Sequence, residues 1–329
     1  MKNLIKTNTY VLIPLIALCA ILLPAAGNAR AQTYPVKPLR IIVSTAAGGG
    51  SDFIARLLSQ KLTESLGQQV LVENRPGAGG TLGIESGIRS APDGYTLNLV
   101  TPSYSINPSL YSLKFDPVND YTPVIPVARG PLVASVHPSL PVKNLRELIV
   151  LAKVRPGQIT YGTAGQGTIV HLANALFLHQ AGITMVHVPY KGGAPAMTDL
   201  IAGQISLVFA TPQVGLAQAK AGRIRALAVT TRERIVAEPN IPTIAESGVP
   251  GYDVSNWHGL IGPKGLPRAV VERLNSEVGK IIRTKDMEDR LRNDGVSPTG
   301  GTPEALFEQI RREIGMWRDA VKAADIKIQ

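Results

Sequence analysis

A glycine-rich segment, Gly48-Gly49-Gly50, follows an apolar run at residues 39–44 and precedes a helical pattern of apolar residues. A chain gives up side chains at such a turn where its backbone must approach another group closely. The turn leads into a helix start, whose unpaired N–H groups and dipole favour an anion. We therefore interpret the turn around these three glycines, called the first loop, as a backbone site for an anionic ligand.

A second segment of the same kind, Gly165-Gln166-Gly167-Thr168, follows a predicted strand at 159–161 and precedes a helical pattern from Ile169. In an open α/β sheet, ligands bind beyond the C-terminal ends of the strands, where such turns lie. One glycine turn alone is explained by a tight strand-to-helix connection. Two in equivalent positions favour a pincer for an anion, formed by the first loop and by this segment, called the second loop, with bridging waters.

Motifs for several other ligand and reaction classes are absent from the sequence. Gly77-Ala-Gly79 lacks the third glycine of a dinucleotide fingerprint, because Leu82 stands there, and Gly279-Lys280 is followed by Ile281 rather than Ser or Thr. No G-x-S-x-G elbow occurs. The five histidines form no H-E-x-x-H or other close metal-binding pattern. The sequence predicts neither a metal nor a cofactor.

Two titratable residues next to the glycine loops have alternative interpretations. Asp52 is a candidate base or metal ligand, but an N-cap that ties down its own loop is favoured, with Ser51 as the other N-cap candidate. His171 lies on the first helical turn after the second loop, and a packing or capping role is favoured over ligand contact. His187, in an apolar strand, is interpreted as structural.

Strands and helices alternate through most of the chain. The predicted strands are 39–44, 70–73, 95–100, 159–161, 184–188, 205–209 and 224–229. One predicted helix starts at Phe53. The other predicted helices are 82–89, 145–153, 169–180, 194–202, 213–221, 267–283, 286–293 and 303–324. Gly67 suits a helix C-cap. This alternation predicts an α/β fold with mostly parallel sheets flanked by helices.

Two apolar stretches rich in proline or glycine, 122–136 and 250–262, interrupt the alternation and predict crossings between two lobes. The predicted domains are a first lobe at 32–128, a second lobe at 129–253, and C-terminal helices at 254–329 that complete the first lobe. Two lobes joined by two crossings can hinge about a cleft.

The first 31 residues have the features of a cleavable secretory signal peptide. Lys2 and Lys6 form the charged start, an apolar run follows, and Ala29-Arg30-Ala31 supplies the cleavage site. Cys19, the only cysteine, lies inside this run after Leu18, which does not fit a lipoprotein site. We expect cleavage after Ala31 and a free soluble protein without disulfides or a lipid anchor.

Removal of this segment lowers the formal net charge from +10 to +7. The basic residues are scattered and aromatic residues are scarce, so the sequence does not indicate nucleic-acid binding. No long apolar segment follows the leader, so no membrane span is predicted in the mature chain.

Several longer motifs together resemble the periplasmic Bug-type receptors of the tripartite tricarboxylate transporter family. They include "YPVKPLRIIVSTAAGGGSDFIARLL", "VENRPGAGGTLGIESGIRSAPDGYTL", "INPSLY", "YGTAGQGTIVHLANALF", "VPYKGGAPAMTDLIAGQISLVFAT" and "IPTIAESGVPGYDVSNWHGLIGPKGLP", and the resemblance covers nearly the whole mature chain. It implies a two-lobed Venus-flytrap fold of the type II periplasmic-binding-protein class. It also implies a carboxylate held between the two loops, largely by backbone N–H groups and ordered waters, and it extends the first loop to residues 45–52 and the second to residues 163–168.

The resemblance assigns ligand-binding positions in both loops, behind the second loop and before the "INPSLY" stretch. They are Thr45, Ala46, Ala47, Gly48, Gly49, Gly50, Ser51, Asp52, Ser103, Tyr104, Thr163, Ala164, Gly165, Gln166, Gly167, Thr168, His171 and Ala210.

The chain departs from the family pattern at two places in this predicted site. Ser44-Thr45-Ala46-Ala47-Gly48-Gly49 stands where the family often has Pro-Phe-Ala-Pro-Gly-Gly, so the loop loses two prolines and an aromatic wall. Ala210 ends a strand where many relatives carry an acid that would meet a ligand's ammonium group. The departure favours a plain or aromatic carboxylate over an amino acid.

The sequence thus predicts a monomeric periplasmic solute receptor rather than an enzyme. It would close its lobes on a small organic carboxylate and deliver the ligand to the membrane permease subunits of a tripartite tricarboxylate-type transporter. Two alternatives stay open. One is an orphan receptor that passes its signal to a sensor, and the other is a secreted α/β enzyme that uses Asp52 and His171.

Overall fold

The computed structural model describes residues 34–326. Its strands are β1 Leu39–Val43, β2 Val70–Asn74, β3 Thr96–Val100, β4 Tyr121–Gly130, β5 Val133–Val136, β6 Thr160–Thr163, β7 Val186–Pro189, β8 Leu207–Ala210, β9 Arg225–Val229, β10 Asn256–Pro263 and β11 Ser297–Pro298. Its helices are α1 Gly50–Leu66, α2 Thr81–Ile88, α3 Ser103–Ile106, α4 Leu145–Val154, α5 Ile169–Ala181, α6 Gly193–Ile201, α7 Pro212–Lys220, α8 Arg268–Ile282, α9 Lys285–Asn293 and α10 Pro303–Ala323. The predicted signal peptide lies outside the described residues.

These elements form two sheets flanked by helices. The six-stranded first sheet has the order β11-β4-β10-β3-β1-β2, and the five-stranded second sheet has the order β7-β6-β8-β5-β9. The chain leaves the first sheet after Gly130 and returns to it at Asn256. Each sheet with its helices is called a lobe below. The α/β two-lobed fold class is confirmed, while the lobe boundaries at residues 129 and 254 stay a prediction.

The expectation of mostly parallel sheets is wrong in detail, because both sheets are mixed. Parallel pairing joins β1 to β2 and β3, and joins β6 to β7 and β8. Every antiparallel pairing in the described chain involves β4, β5 or β10. These strands lie where the chain crosses between the lobes. Within residues 34–326, no crossover helix connects them to a neighbouring strand in the way that makes the two strands of a βαβ unit parallel.

The first βαβ unit shows why the first loop is rigidly placed. Strand β1 is almost wholly buried, and α1 packs the apolar side chains Ile54, Leu58 and Leu62 into the core at helical spacing. Gly67 ends α1 with left-handed backbone (φ 65°), as predicted, and its N–H donates to the carbonyl of Thr63. The first loop is therefore held between a core strand and a core helix.

The last helix, α10, contacts both lobes. Leu306 and Ile310 pack in the hydrophobic cluster of the first lobe. Farther along the helix, Trp317 and Val321 belong to the cluster built around the second sheet. The sequence analysis expected the C-terminal helices to complete the first lobe. The final turns of α10 also join the cluster built around the second sheet.

None of the helices within residues 34–326 combines the length and hydropathy that a membrane-spanning helix requires.

Candidate functional site

Two cavities with shared walls lie between the lobes. The outer cavity has a volume of about 650 Å³ and the inner one about 60 Å³. Their shared walls are Thr45, Ala46, Ala164 and Thr168. Because these walls come from both glycine loops, the cavities occupy the cleft where the sequence analysis placed the pincer.

The N-terminus of α1 forms one wall of the inner cavity through Gly49, Gly50 and Ser51. The first N–H groups of a helix have no partner inside it. Within residues 34–326, the N–H groups of Gly50, Ser51 and Asp52 find no other acceptor either. Unpaired donors at the positive end of a 17-residue helix make this wall attractive to a carboxylate.

Asp52 shapes the first loop instead of capping the helix from its N-cap position. The helix N-cap is Gly49, not Ser51 or Asp52 as predicted. Oδ2 of Asp52 accepts hydrogen bonds from the Gly48 N–H at 3.0 Å and from Nε of Arg56 at 2.9 Å. Burial acts to raise the pKa of Asp52, but the hydrogen bonds from Arg56 and Gly48 outweigh it and leave the pKa below its ordinary value. The ionised carboxylate ties its own loop, as the favoured interpretation expected.

Two glycines of the first loop are required for different reasons. Gly48 has left-handed backbone (φ 80°), which a side chain disfavours. Gly50 has no room for a Cβ atom, since an added Cβ would lie 2.5 Å from Oγ1 of Thr211 in the second lobe. The glycine at position 50 therefore permits close approach of the lobes.

The second loop differs from the first, because most of its donors are already used. The N–H groups of Gly165 and Gly167 donate to Oγ1 of Thr163 and to Nδ1 of His171, at 3.2 and 3.3 Å. The N–H of Ile169 donates to Oγ of Ser103 in the first lobe, at 3.0 Å. Free backbone donors thus come chiefly from the first loop, and the pincer is unequal.

A stack of rings supports the second loop from behind. His187 lies between Tyr161 and His171, with ring centroids 5.0 and 4.5 Å apart. Nε2 of His187 is 2.7 Å from Oγ1 of Thr163. Burial lowers the pKa of His171 to about 4, with a further contribution from His187, whose own pKa burial also lowers. Both rings are neutral at neutral pH, which the bond from Gly167 requires.

Direct contacts join the lobes at the cavity rim. The hydroxyl of Tyr111 in the first lobe donates to the carbonyl of Gln166 in the second loop, at 3.0 Å. The Tyr111 ring also lies against Gly79 and Gly167, where an added Cβ would be 2.8 and 2.5 Å from it. The structure therefore has the lobes in contact across the cleft.

Many of the predicted site residues line the cavities. They are Thr45, Ala46, Gly49, Gly50, Ser51, Ser103, Ala164, Gly165, Gln166, Thr168 and Ala210. Others stand behind the loops: Asp52, Thr163, Gly167 and His171 hold loop geometry as described above. Ala47 and Gly48 are exposed.

Tyr104 is the predicted site residue that the structure places elsewhere. Its side chain is 1% exposed and packs against Phe115 and Tyr121. Its hydroxyl donates to the carbonyl of Pro117. The aromatic ring serves the core because α3 turns it away from the cleft, whereas the neighbouring Ser103 lines the inner cavity.

The sequence analysis missed several cavity residues. The turn 76–80 lines the outer cavity together with Tyr111 and residues 189–192, and Thr211 and Asn256 line the inner one. The position of the turn 76–80 in the sequence could have indicated it. The turn follows β2, whose C-terminal end lies beside that of β1 in a parallel pair, where ligands bind in α/β sheets. Tyr111 and Asn256 lie in quoted motifs, "INPSLY" and "IPTIAESGVPGYDVSNWHGLIGPKGLP", but neither was assigned to the site.

The walls of the two cavities are almost uncharged. Lys191, at the outer cavity, is the one charged side chain among the described residues that line either cavity. Ala210 stands in the inner wall, and no carboxylate lines it. Residues 34–326 contain no group of three or more His, Cys, Asp or Glu arranged to hold a metal ion.

Comparison with protein families and known proteins gives consistent matches. The family model described as "Tripartite tricarboxylate transporter family receptor" matches residues 54–326. Protein BugT of Bordetella pertussis is 33% identical over 321 residues, which are 96% of this chain and 98% of BugT.

Solved structures resemble the whole fold. The R. palustris protein Rpa4515, solved with adipate, is 35% identical with a TM-score of 0.87, over 89% of this chain and 99% of that one. The structure of the periplasmic binding protein BugD is 33% identical with a TM-score of 0.86, over 90% of this chain and 100% of that one.

Replacement of Gly50 tests whether lobe contact supports binding. In Gly50→Ala, the new methyl group would meet Thr211 only while the lobes touch, so we expect weaker ligand-induced stabilisation with little change in the ligand-free melting temperature. Gly279→Ala is the matched control, because its nearest atom is Cδ1 of Ile125 at 3.7 Å, far from the site. Thermal melts with and without ligand measure both, and an equal response of the two variants would contradict the contact.

The stacked histidines predict a pH dependence of stability. Between pH 6.5 and about 4 the unfolded chain takes up a proton at His171 that the native protein does not, so the free energy of unfolding falls as the pH falls through this window. We expect His171→Asn to flatten the fall in melting temperature and exposed His179→Asn to leave it unchanged. A wild-type slope in His171→Asn would show that His171 is already protonated in the native state.

Proposed function

The chain belongs to the tripartite tricarboxylate transporter receptor family, and from this premise we propose that it is a periplasmic receptor for a small organic carboxylate. The ligand would bind between the lobes and be delivered to the membrane permease of such a transporter. The predicted leader and the periplasmic binding protein BugD among its structural relatives support this location.

The unpaired N–H groups at the start of α1 carry the proposal. Gly50 and Ser51, whose N–H groups are among them, line the inner cavity between the lobes, and donors in such a setting favour an acceptor with negative charge. A ligand that touches both lobes would favour the contacting arrangement, because it binds that arrangement better than a separated one. Backbone donors hold a carboxylate without any reactive side chain.

The cavity walls support a ligand with two anionic ends. The first carboxylate would meet the α1 N-terminus, and the body would lie along Tyr111 and Tyr190 in the outer cavity. The second would meet the ammonium group of Lys191. Adipate in Rpa4515 is a ligand of this type, and the absence of an acid in the walls speaks against an amino acid.

The enzyme alternative has less support than the receptor. Asp52 is occupied by Gly48 and Arg56, and His171 accepts a hydrogen bond from Gly167. Neither residue hydrogen-bonds a nucleophilic side chain in the described structure, as a catalytic pair would. The sensor alternative would share the same ligand site and differ only in the membrane partner.

A matched ligand series tests the proposed function. The series comprises dicarboxylates of four to eight carbons, the corresponding monocarboxylates and the corresponding diamides, which share a carbon chain and differ in the charge and hydrogen-bonding groups of their ends. We expect melting-temperature shifts in the order dicarboxylate, monocarboxylate, diamide, with about 2.7 kcal/mol of stabilisation at 100 times the dissociation constant. Equal shifts from a diamide, or shifts only from amines, would overturn the carboxylate assignment.

Lys191→Gln tests the second anionic end. Because Lys191 is exposed, we expect only about a threefold loss of dicarboxylate affinity by titration calorimetry, and no loss for the monocarboxylate of equal length. Lys153→Gln removes an exposed lysine in the last turn of α4 and serves as the control. An equal loss for both ligand types would place the effect of Lys191 outside a direct charge contact.

A further inference from the structure

A buried pair, Ser51 and His258, joins the α1 N-terminus to the first sheet. Oγ of Ser51 lies 3.2 Å from Nε2 of His258, and both side chains are buried. Ser51 lines the inner cavity, while His258 lies behind it on β10. Asn256, two residues before His258 on the same strand, also lines the inner cavity. Ser51 is thus the hydroxyl that a ligand at α1 would meet, and His258 is its partner.

The surroundings of His258 decide which nitrogen carries the proton. His258 is 1% exposed, and burial lowers its pKa to about 4, so the ring is neutral at neutral pH and has one N–H. Its Nδ1 is buried and has no partner within the described residues. A buried N–H without an acceptor is rarer in proteins than an unpaired acceptor. A proton on Nε2 is therefore favoured, because it is the one that Ser51 can accept.

We propose that His258 is a positioning residue for ligand binding: its Nε2–H donates to Oγ of Ser51 and so leaves the Ser51 hydroxyl proton free to point into the inner cavity. This inference rests on the proposed function, because the group that receives this proton is the ligand carboxylate. With the proton on Nδ1, Ser51 would donate to His258 instead and would turn only lone pairs toward an anion.

The consequence for specificity is a site that offers donors. The N–H groups of Gly50 and Ser51, two residues that line the inner cavity, cannot accept a hydrogen bond, and His258 gives the Ser51 hydroxyl the same donor role. An ionised carboxylate, which only accepts, satisfies all of them. A carboxamide offers one acceptor oxygen in place of two, and its NH2 group would face the remaining donors of this wall.

The protonated nitrogen can be measured without any ligand. Long-range ¹H–¹⁵N correlation spectra of the full mature protein with ¹⁵N-labelled histidine report the tautomer, and the signal is assigned by its loss in His258→Gln. We expect a protonated Nε2 and an unprotonated Nδ1 at neutral pH. The opposite tautomer would overturn the proposal, whatever the ligand proves to be.

Binding variants test the role of the pair, with adipate and adipamide as probes in titration calorimetry. We expect Ser51→Ala and His258→Phe each to weaken adipate binding at least about tenfold, as loss of a hydrogen bond to a charged group does. The double variant should bind adipate no more weakly than the more weakly binding single variant, because both substitutions remove the same hydrogen bond to the ligand. His258→Gln should recover much of the affinity, because its amide can donate to Ser51.

Two results would contradict the positioning role. One is an additive double variant, and the other is a loss in His258→Phe that is equal for adipate and adipamide. Ligand-free melting temperatures separate either result from general unfolding. If wild-type protein binds neither probe, the proposed function fails for this ligand, while the tautomer measurement still decides the state of His258.

Discussion

The first backbone N–H groups of α1 are the constraint on which the site depends. Buried donors need acceptors, and within the described chain these donors have none. The surrounding residues preserve this state. Asp52 bonds the N–H of Gly48 rather than those of the first turn, and Gly50 keeps the wall free of a Cβ atom. The site is defined by what the backbone leaves unsatisfied.

The two glycine loops are similar in sequence but differ in how their backbone N–H groups are used. The second loop spends its donors on Thr163, His171 and Ser103, so it is internally fixed and contacts the first lobe as a preformed surface. The first N–H groups of α1, at the end of the first loop, have no acceptor in the described chain. The two lobes therefore present different surfaces to the cleft, one with unpaired backbone donors and one whose donors are already bonded.

Local features of this fold follow from the sequence, whereas the relations between lobes do not. The apolar strand, the helix ending at Gly67 and the glycine turns at strand ends are encoded by residue type and spacing. The N-cap prediction was wrong because Gly49 takes extended backbone itself. The mixed sheets and the burial of Tyr104 depend on the crossing strands and on α3. Lys191 and Asn256 lie in motifs of the family resemblance, but residue type and spacing do not tell that they line the cavities, because this depends on how the two lobes meet.

The packing of α10 limits the ways in which the lobes can separate. Leu306 and Trp317 anchor one continuous helix in two hydrophobic clusters, about 16 Å apart along its axis at 1.5 Å per residue. A rod held at both ends removes rotational freedom that two flexible crossings alone would permit. Opening must either follow an axis near this rod or detach its last turns. Any relative movement of the lobes would therefore have to preserve the packing of the tail in both clusters or break it in one of them.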